Sequence, residues 1–235
     1  MGPEGQQIPA EPVYCAAMVF VACSGFPVPV SRYFDQFGAV EISDTELGMP
    51  GEGTIRRWLR EAPEGFAFSM LAPKEIGASG FEISHDVREA VGNIGRLALR
   101  VHAKAVVFAA PPSIKPTAKR RAALGAFLDW LPDNFPPIVL DLPAWKPEQV
   151  VDASDGRPVV VAHDPLNDAP PKDDGGLCYL RMPGPAGYRS RYDDETMDDI
   201  AARCRQAEAH YDTVMCVFRN IDMHANALQL MERLS

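Results

Sequence analysis

The chain alternates between short apolar, β-branched runs and longer segments in which apolar residues recur with helical spacing. Almost every run stops at a turn or a polar residue, and the eight runs span residues 19–22, 40–42, 66–70, 105–108, 138–140, 159–162, 177–180 and 214–218. Strands that alternate with helices predict a parallel sheet covered by helices. Eight such units in 235 residues suit a closed (β/α)₈ barrel, which usually has about 250 residues.

Apolar residues at positions i, i+3, i+4 and i+7 predict the helices between these runs. Helical stripes of this kind begin at Val30, Ile55, Ile94, Leu124, Met197 and Ala227. Two connections are weaker, because only residues 147–151 could be helical after the fifth run, and residues 165–176 have the proline and glycine content of a loop. We therefore expect a shortened fifth helix and no sixth helix. Asp86 and Glu89 resemble a capping box at the start of one helix.

The segment before the first run is rich in glycine, proline and glutamine, so residues 1–12 are predicted to be a disordered tail and residues 13–235 a single domain. Residues 13–26 are apolar, but Glu4 and Glu11 precede them without any lysine or arginine, unlike a secretory signal. The run is also too short to span a bilayer. These features favour a cytoplasmic protein without a membrane segment.

Charge and cysteine content narrow the possible functions. The formal net charge is −9, which argues against a broad phosphate-binding surface for nucleic acid. The basic run between Lys115 and Arg121 is typical of a solvated helix face. None of the five cysteines forms a C-x-x-C motif, so we expect reduced, partly buried thiols.

If the strands form a barrel, polar residues at their carboxyl ends converge on one rim, where such barrels bind ligands. The rim candidates are Ser24, Glu41, Ser43, Lys74, Asp141, His163, Asp164, Arg181, Asn220, Asp222 and His224. There is no nucleophile elbow, dinucleotide fingerprint or P-loop to select a reaction or a cofactor.

Short motifs distributed from Val19 to Leu234 add a family resemblance. They lie at residues 23–25, 40–43, 63–69, 72–74, 111–116, 143–145, 218–220 and 226–228, with Trp58, Arg181, Gly184 and Tyr192 between them. In this order and spacing they resemble the YecE-like TIM-barrel proteins, known as domain of unknown function 72. The resemblance implies a barrel with a ligand face, and it implies no reaction because the family's biochemical function is not established.

The polar positions of the family motifs are extensively changed here. The family has Trp at Phe26, Asn at Ser43 and Lys at Leu71. Its Glu-x-Arg-His-Pro-x-Trp motif falls on residues 139–145, where both the acid and the arginine are missing, and its Arg-Leu-His-Gly motif falls on residues 181–184 without the histidine. The chain is therefore either a divergent branch with another ligand or a barrel that has lost its activity.

An anion site is the first functional hypothesis. Barrels of this type often bind phosphate with the loops after strands seven and eight. Arg181, Arg189 and Arg219 would supply charge there, while Gly184 and Gly187 would let backbone N–H groups approach the ligand. The alternative is that the glycines only shape a turn and the arginines pair with nearby acids such as Asp193, Asp194 or Asp222.

General acid–base work is the second hypothesis, and Glu41 is the candidate catalytic residue. Glu41 lies between Val40 and Ile42, whose side chains point the other way, so Glu41 would point into the barrel. The pKa of an enclosed carboxyl rises unless Lys74, Arg181 or Arg219 pairs with it. The alternative is a structural ion pair. A metal-assisted hydrolase is a further alternative, but no metal site is predicted because the rim residues lack a recognised ligand spacing. The candidate ligands for a divalent ion are Glu41, Asp141, His163, Asp164, Asp222 and His224.

We therefore expect a barrel that binds or turns over a small polar or phosphate-bearing ligand at its C-terminal face. Its cofactor and oligomeric state are unspecified, and no nucleic acid is expected. The expected ligand-binding residues are Ser24, Lys74, Arg181, Gly184, Arg219 and Asn220, with Glu41 as acid–base group or charge partner. The alternative is a non-catalytic barrel that serves as an interaction module.

Overall fold

The computed structural model describes residues 17–167 and 175–235, and eight parallel β-strands lie within them. The strands are β1 (Met18–Cys23), β2 (Ala39–Ile42), β3 (Ala67–Leu71), β4 (Ala105–Ala109), β5 (Ile138–Asp141), β6 (Val160–Val161), β7 (Leu177–Met182) and β8 (Thr213–Phe218). All eight predicted strands are confirmed, with ends that differ by two residues or fewer. The predicted tail, residues 1–12, lies outside the described residues.

The strands form two parallel sheets, so the prediction of one closed eight-stranded barrel was wrong in this respect. One sheet has the order β1-β8-β7 and the other β2-β3-β4-β5-β6. Single bridges join the sheets, Ser24 with Glu41 at one edge and His163 with Leu180 at the other. Neither bridge extends into a longer ladder of backbone hydrogen bonds. At the first edge Glu41 of β2 pairs with Ser24, which lies beyond the end of β1, and at the second edge β6 is only two residues long.

The described residues form eight α-helices, seven between strands and one after β8. They are α1 (Val30–Phe34), α2 (Glu52–Glu61), α3 (Lys74–Ala78), α4 (His85–Arg100), α5 (Ala118–Trp130), α6 (Pro147–Ser154), α7 (Asp194–Glu208) and α8 (Met223–Leu234), with a 3₁₀ turn at Asp44–Glu46. The helix after β5 is short, as predicted, and residues 162–167 and 175–176 contain no helix. The predicted capping box was wrong, because the Ser84 hydroxyl accepts the Val87 N–H and caps α4.

Alternation along the strands separates two apolar layers. One packs between strands and helices, and it includes Val40 and Ile42. The other lies on the inner face of the strands, away from the helices, and it is built from alanine and valine with Leu71, Tyr179 and Met215. Small inner side chains leave room for polar groups toward the carboxyl ends of the strands. The four described cysteines are buried free thiols, as expected.

No helix in the described part of the chain is both long and apolar enough to cross a bilayer.

Candidate functional site

A fully buried carboxylate, Glu41 of β2, lies at the centre of a hydrogen-bonded cluster inside the strands. The Ser24 hydroxyl donates to its Oε1 at 2.7 Å, and Arg181 Nη2 of β7 donates to the same oxygen at 2.8 Å. The Tyr179 hydroxyl donates to Oε2 at 2.9 Å and lies 2.7 Å from the Ser69 hydroxyl of β3. Both carboxylate oxygens therefore accept hydrogen bonds, from Ser24 just after β1 and from two residues of β7 in the other sheet.

This cluster holds Glu41 and Arg181 in their charged forms. Burial raises the pKa of Glu41, but the positive charges of Arg181 and Arg219 and the donated hydrogen bonds outweigh burial, so the pKa is lowered. Burial lowers the pKa of Arg181, but Glu41 and Asp141 outweigh it, so that pKa is raised. Glu41 pairs with Arg181, one of the three cations that the sequence left open, and the Arg181 side chain is only 3% exposed.

A second, looser pair lies above this cluster. Asp141 is the last residue of β5, and its Oδ2 accepts a hydrogen bond from Arg181 Nη1. Arg219, which directly follows β8, places its Nη1 3.7 Å from the same oxygen. The side chains of Asp141 and Arg219 are 23% and 31% exposed. Burial and the charge of Arg181 lower the pKa of Arg219, against the opposing effects of Glu41 and Asp141.

These two residues line a pocket of about 540 Å³ at the carboxyl ends of β5 to β8. The Trp145 ring is held at its wall because its Nε1–H donates to the Ile114 carbonyl oxygen at 2.8 Å. The lining residues are Asp141, Leu142, Pro143, Trp145, Lys146, Pro147, Val161, Ala162, His163, Asp164, Asn167, Arg181, Pro183 and Arg219. The pocket thus combines cationic side chains, carboxylates and an apolar wall.

The family model described as "Protein of unknown function DUF72" matches residues 29–235. The chain belongs to this family. The resemblance drawn from the short motifs is therefore confirmed, and it extends over most of the chain.

Solved DUF72 structures share the fold at low sequence identity. A DUF72 family protein from Enterococcus faecalis V583 has 19% identity and a TM-score of 0.74, covering 93% of this chain and 98% of its own. One from Thermotoga maritima MSB8 has 17% identity and a TM-score of 0.72, covering 92% and 99%.

A D-tagatose 3-epimerase-like protein is more distant, at 13% identity and a TM-score of 0.58, covering 91% of this chain and 96% of its own. At these identities the likeness concerns the fold alone. No curated protein matches the sequence of this chain.

Within this DUF72 chain, the predicted ligand-binding residues separate into two groups. Arg181 and Arg219 line the pocket, and Ser24 lies deeper, bound to Glu41. Lys74 is exposed at the first residue of α3, and it does not line this pocket.

Gly184 and Asn220 have structural contacts instead. The Gly184 N–H donates to the Tyr192 hydroxyl at 2.7 Å, and its φ of 99° and the close Gly187 carbonyl oxygen leave no room for a side chain. The buried Asn220 amide donates to the carbonyl oxygen of Ser190 and to Asn226 Oδ1. A direct ligand contact for either residue stays a prediction.

Two of the candidate metal ligands, Asp222 and His224, do not line the pocket. Asp222 pairs with Arg191 at 2.8 Å, and His224 Nε2 lies 2.9 Å from Gln36 Oε1. Among the described residues, no three histidine, cysteine, aspartate or glutamate side chains are arranged to hold a metal ion.

Trp145 and Lys146 are among the pocket residues that were not chosen from the sequence as site residues. Trp145 entered only as a family motif position, and Lys146 directly follows it. The available signal was their place just after β5, because residues that follow a strand lie on the ligand face.

Proposed function

We propose that this DUF72 chain binds a small polar ligand with an anionic group in the pocket, and that Arg219 contacts the anion. The supporting observation is the incomplete pairing of Arg219. Its nearest described carboxylate oxygen, Asp141 Oδ2, is 3.7 Å away and already accepts from Arg181. A distance of 3.7 Å exceeds that of a hydrogen bond.

The electrostatics of the site favour an anion beside Arg219. Arg181 is paired with two carboxylates, Glu41 and Asp141, whereas the ion pair of Arg219 among the described residues is with an oxygen that also accepts from Arg181. The lowered pKa of Arg219 means that burial and the charge of Arg181 make its positive charge less favourable than in water, although the guanidinium stays charged. A bound anion would stabilise that charge and would reach a guanidinium that offers several donors in one plane.

In this proposal Glu41 is a positioning residue. It has no exposed surface, and its oxygens already accept from Ser24, Arg181 and Tyr179. A general acid or base has to come within hydrogen-bond reach of the reacting group. Glu41 instead orients Arg181, which in turn holds Asp141 at the pocket wall. The proposal therefore concerns binding, and any turnover would use groups that reach the pocket.

The test is a thermal-shift panel with inorganic phosphate, sulfate, sugar phosphates and simple carboxylates, on the wild type and on Arg219→Gln. A ligand that binds only the native state raises the melting temperature. At one hundred times its Kd it adds about 2.7 kcal/mol to the free energy of unfolding. We expect a shift in the wild type that is lost in Arg219→Gln. Arg56→Gln, on the exposed face of α2, is the control and should keep the shift.

A shift that survives in Arg219→Gln would contradict the assignment of the anion to Arg219. The absence of any shift across the panel would contradict the ligand-binding proposal itself.

The second candidate is a non-catalytic fold that serves as an interaction module. The saturated Glu41–Arg181 pair favours it, as do exposed apolar side chains on the same rim, above all Leu47 at 77% exposure. Exposed apolar residues can mark a protein contact. Under this alternative the anion panel gives no shift, and Leu47→Ser weakens self-association or partner binding while Leu59→Ser on α2 does not.

A further inference from the structure

The gap between Arg219 and Asp141 is informative about the ligand. Arg219 Nη1 and Asp141 Oδ2 are 3.7 Å apart, and both side chains line the pocket. The first offers only donors, and the second, as a carboxylate, offers only acceptors. A ligand that enters here therefore meets a donor and an acceptor side by side.

A simple anion satisfies only one side of this arrangement. Its oxygens accept from Arg219, but they also approach the Asp141 carboxylate, and like charges at that distance repel each other. A ligand that has a hydroxyl group next to its anionic group avoids the conflict. The anionic oxygen faces the guanidinium, while the hydroxyl donates to Asp141.

We infer that the ligand is an α-hydroxy carboxylate, bound through its carboxylate to Arg219 and through its hydroxyl to Asp141. This inference rests on the proposed anion site at Arg219. The guanidinium and the Asp141 carboxylate have their nearest charged atoms 3.7 Å apart, so two hydrogen bonds of about 2.8 Å can reach one ligand with oxygens on adjacent carbon atoms. Arg181 holds Asp141 in place for this contact, because it bonds to Oδ2 from the buried side.

Asp141 Oδ1 is suited to receive the hydroxyl. It has no hydrogen bond within the described part of the chain, whereas Oδ2 is shared between two arginines. The side chain is 23% exposed, so the pocket can reach it. The remaining wall, formed in part by Trp145, Pro143 and Pro183, offers apolar surface to the carbon chain of such a ligand.

The decisive experiment compares lactate with propionate, which differ by one hydroxyl group, in NMR titrations of the whole chain. We expect lactate to bind the wild type at least about tenfold more tightly, as is typical when a charge-assisted hydrogen bond is added. In Asp141→Asn the preference should disappear, and propionate should bind at least as tightly as to the wild type, because a repelling charge is removed. Asp129→Asn, on the exposed face of α5, should keep the preference.

Several outcomes separate this inference from the proposed function. Equal binding of lactate and propionate, or binding of phosphate without lactate, overturns the inference and leaves the anion site at Arg219 in place. Equally tight binding of neutral 1,2-propanediol overturns the inference in favour of a sugar-like diol. A lactate preference that persists in Asp141→Asn overturns the role of Asp141. If the wild type binds none of the anions, the proposed function is overturned as well.

Discussion

Two arginine–carboxylate pairs lie one above the other in this protein, and they differ in almost every physical respect. Arg181 and Glu41 are 3% and 0% exposed, and their charged atoms are 2.8 Å apart. Arg219 and Asp141 are 31% and 23% exposed, with charged atoms 3.7 Å apart. The lower pair, Arg181 and Glu41, is hydrogen-bonded and almost fully buried. The upper pair, Arg219 and Asp141, is partly exposed to a pocket and is not hydrogen-bonded.

The two arginines also differ in the direction in which their surroundings shift the pKa. Neighbouring carboxylates raise the pKa of Arg181 in spite of burial, but burial and Arg181 itself lower the pKa of Arg219. Removal of one partner from a satisfied buried pair destabilises a fold, and an incompletely paired charge beside a pocket favours a ligand. The comparison therefore assigns structure to the lower pair and recognition to the upper one.

The largest expected effect follows removal of the buried cation. Arg181→Ala leaves Glu41 buried without its main counter-charge, which should lower the free energy of unfolding by about 3–5 kcal/mol. Urea denaturation followed by circular dichroism measures the change. Should the variant fail to fold, the double variant Glu41→Gln with Arg181→Met should fold and recover part of the loss. A loss below about 1 kcal/mol would mean that the lower pair is no more structural than a surface pair.

Neutralising the buried carboxylate should have a smaller, pH-dependent effect. Glu41→Gln keeps the shape but weakens the hydrogen bonds from Arg181 and Ser24, and we expect a loss of about 2 kcal/mol at pH 7. Because the pKa of Glu41 is lowered on folding, its contribution is present above the unfolded value of about 4.3 and disappears as pH falls through the folded value.

The corresponding measurement is urea unfolding of both proteins between pH 7 and pH 3. The difference in unfolding free energy should stay constant down to about pH 5 and shrink at lower pH. A difference that grows on acidification would mean that folding raises the pKa of Glu41, and it would contradict a charged lower pair.

The sequence predicted the lower pair better than the upper one. Glu41 stands between Val40 and Ile42, so alternation alone places it inside, and the need for a cationic partner follows from burial. The choice of Arg181 among three possible cations was open. It depends on the distance between β2 and β7, and no local pattern encodes that distance.

The upper pair and the sheet edges depend on long-range geometry. Asp141 ends β5 and Arg219 follows β8, which identifies their face, but only the structure shows that they share a pocket while Lys74 lies outside it. Likewise the eight strands are readable from apolar runs. The break into two sheets cannot be predicted from these runs, because it depends on the registers of β1 with β2 and of β6 with β7.

Within the upper pair, Asp141→Asn tests how far the two pairs are coupled. The asparagine carbonyl oxygen can still accept from Arg181, so we expect a loss of only about 1 kcal/mol in unfolding free energy. Urea denaturation at pH 7 measures it, with Asp129→Asn as the surface control. A loss as large as that of Arg181→Ala would show that Asp141 belongs to the structural cluster. It would contradict the assignment of Asp141 to ligand recognition.

The smallest effect on stability, and the largest on binding, is expected at Arg219. Arg219→Gln removes a charge that Arg181 repels and that Glu41 and Asp141 attract, so the opposing contributions largely cancel. The free energy of unfolding should change by less than about 0.5 kcal/mol, while anion affinity falls at least about tenfold. Paired urea curves and anion titrations on one preparation measure both. A stability loss similar to that of Arg181→Ala, with anion affinity unchanged, would make the upper pair structural too. Proximity to a pocket would then say nothing about recognition, since both arginines would serve only to hold the strands together.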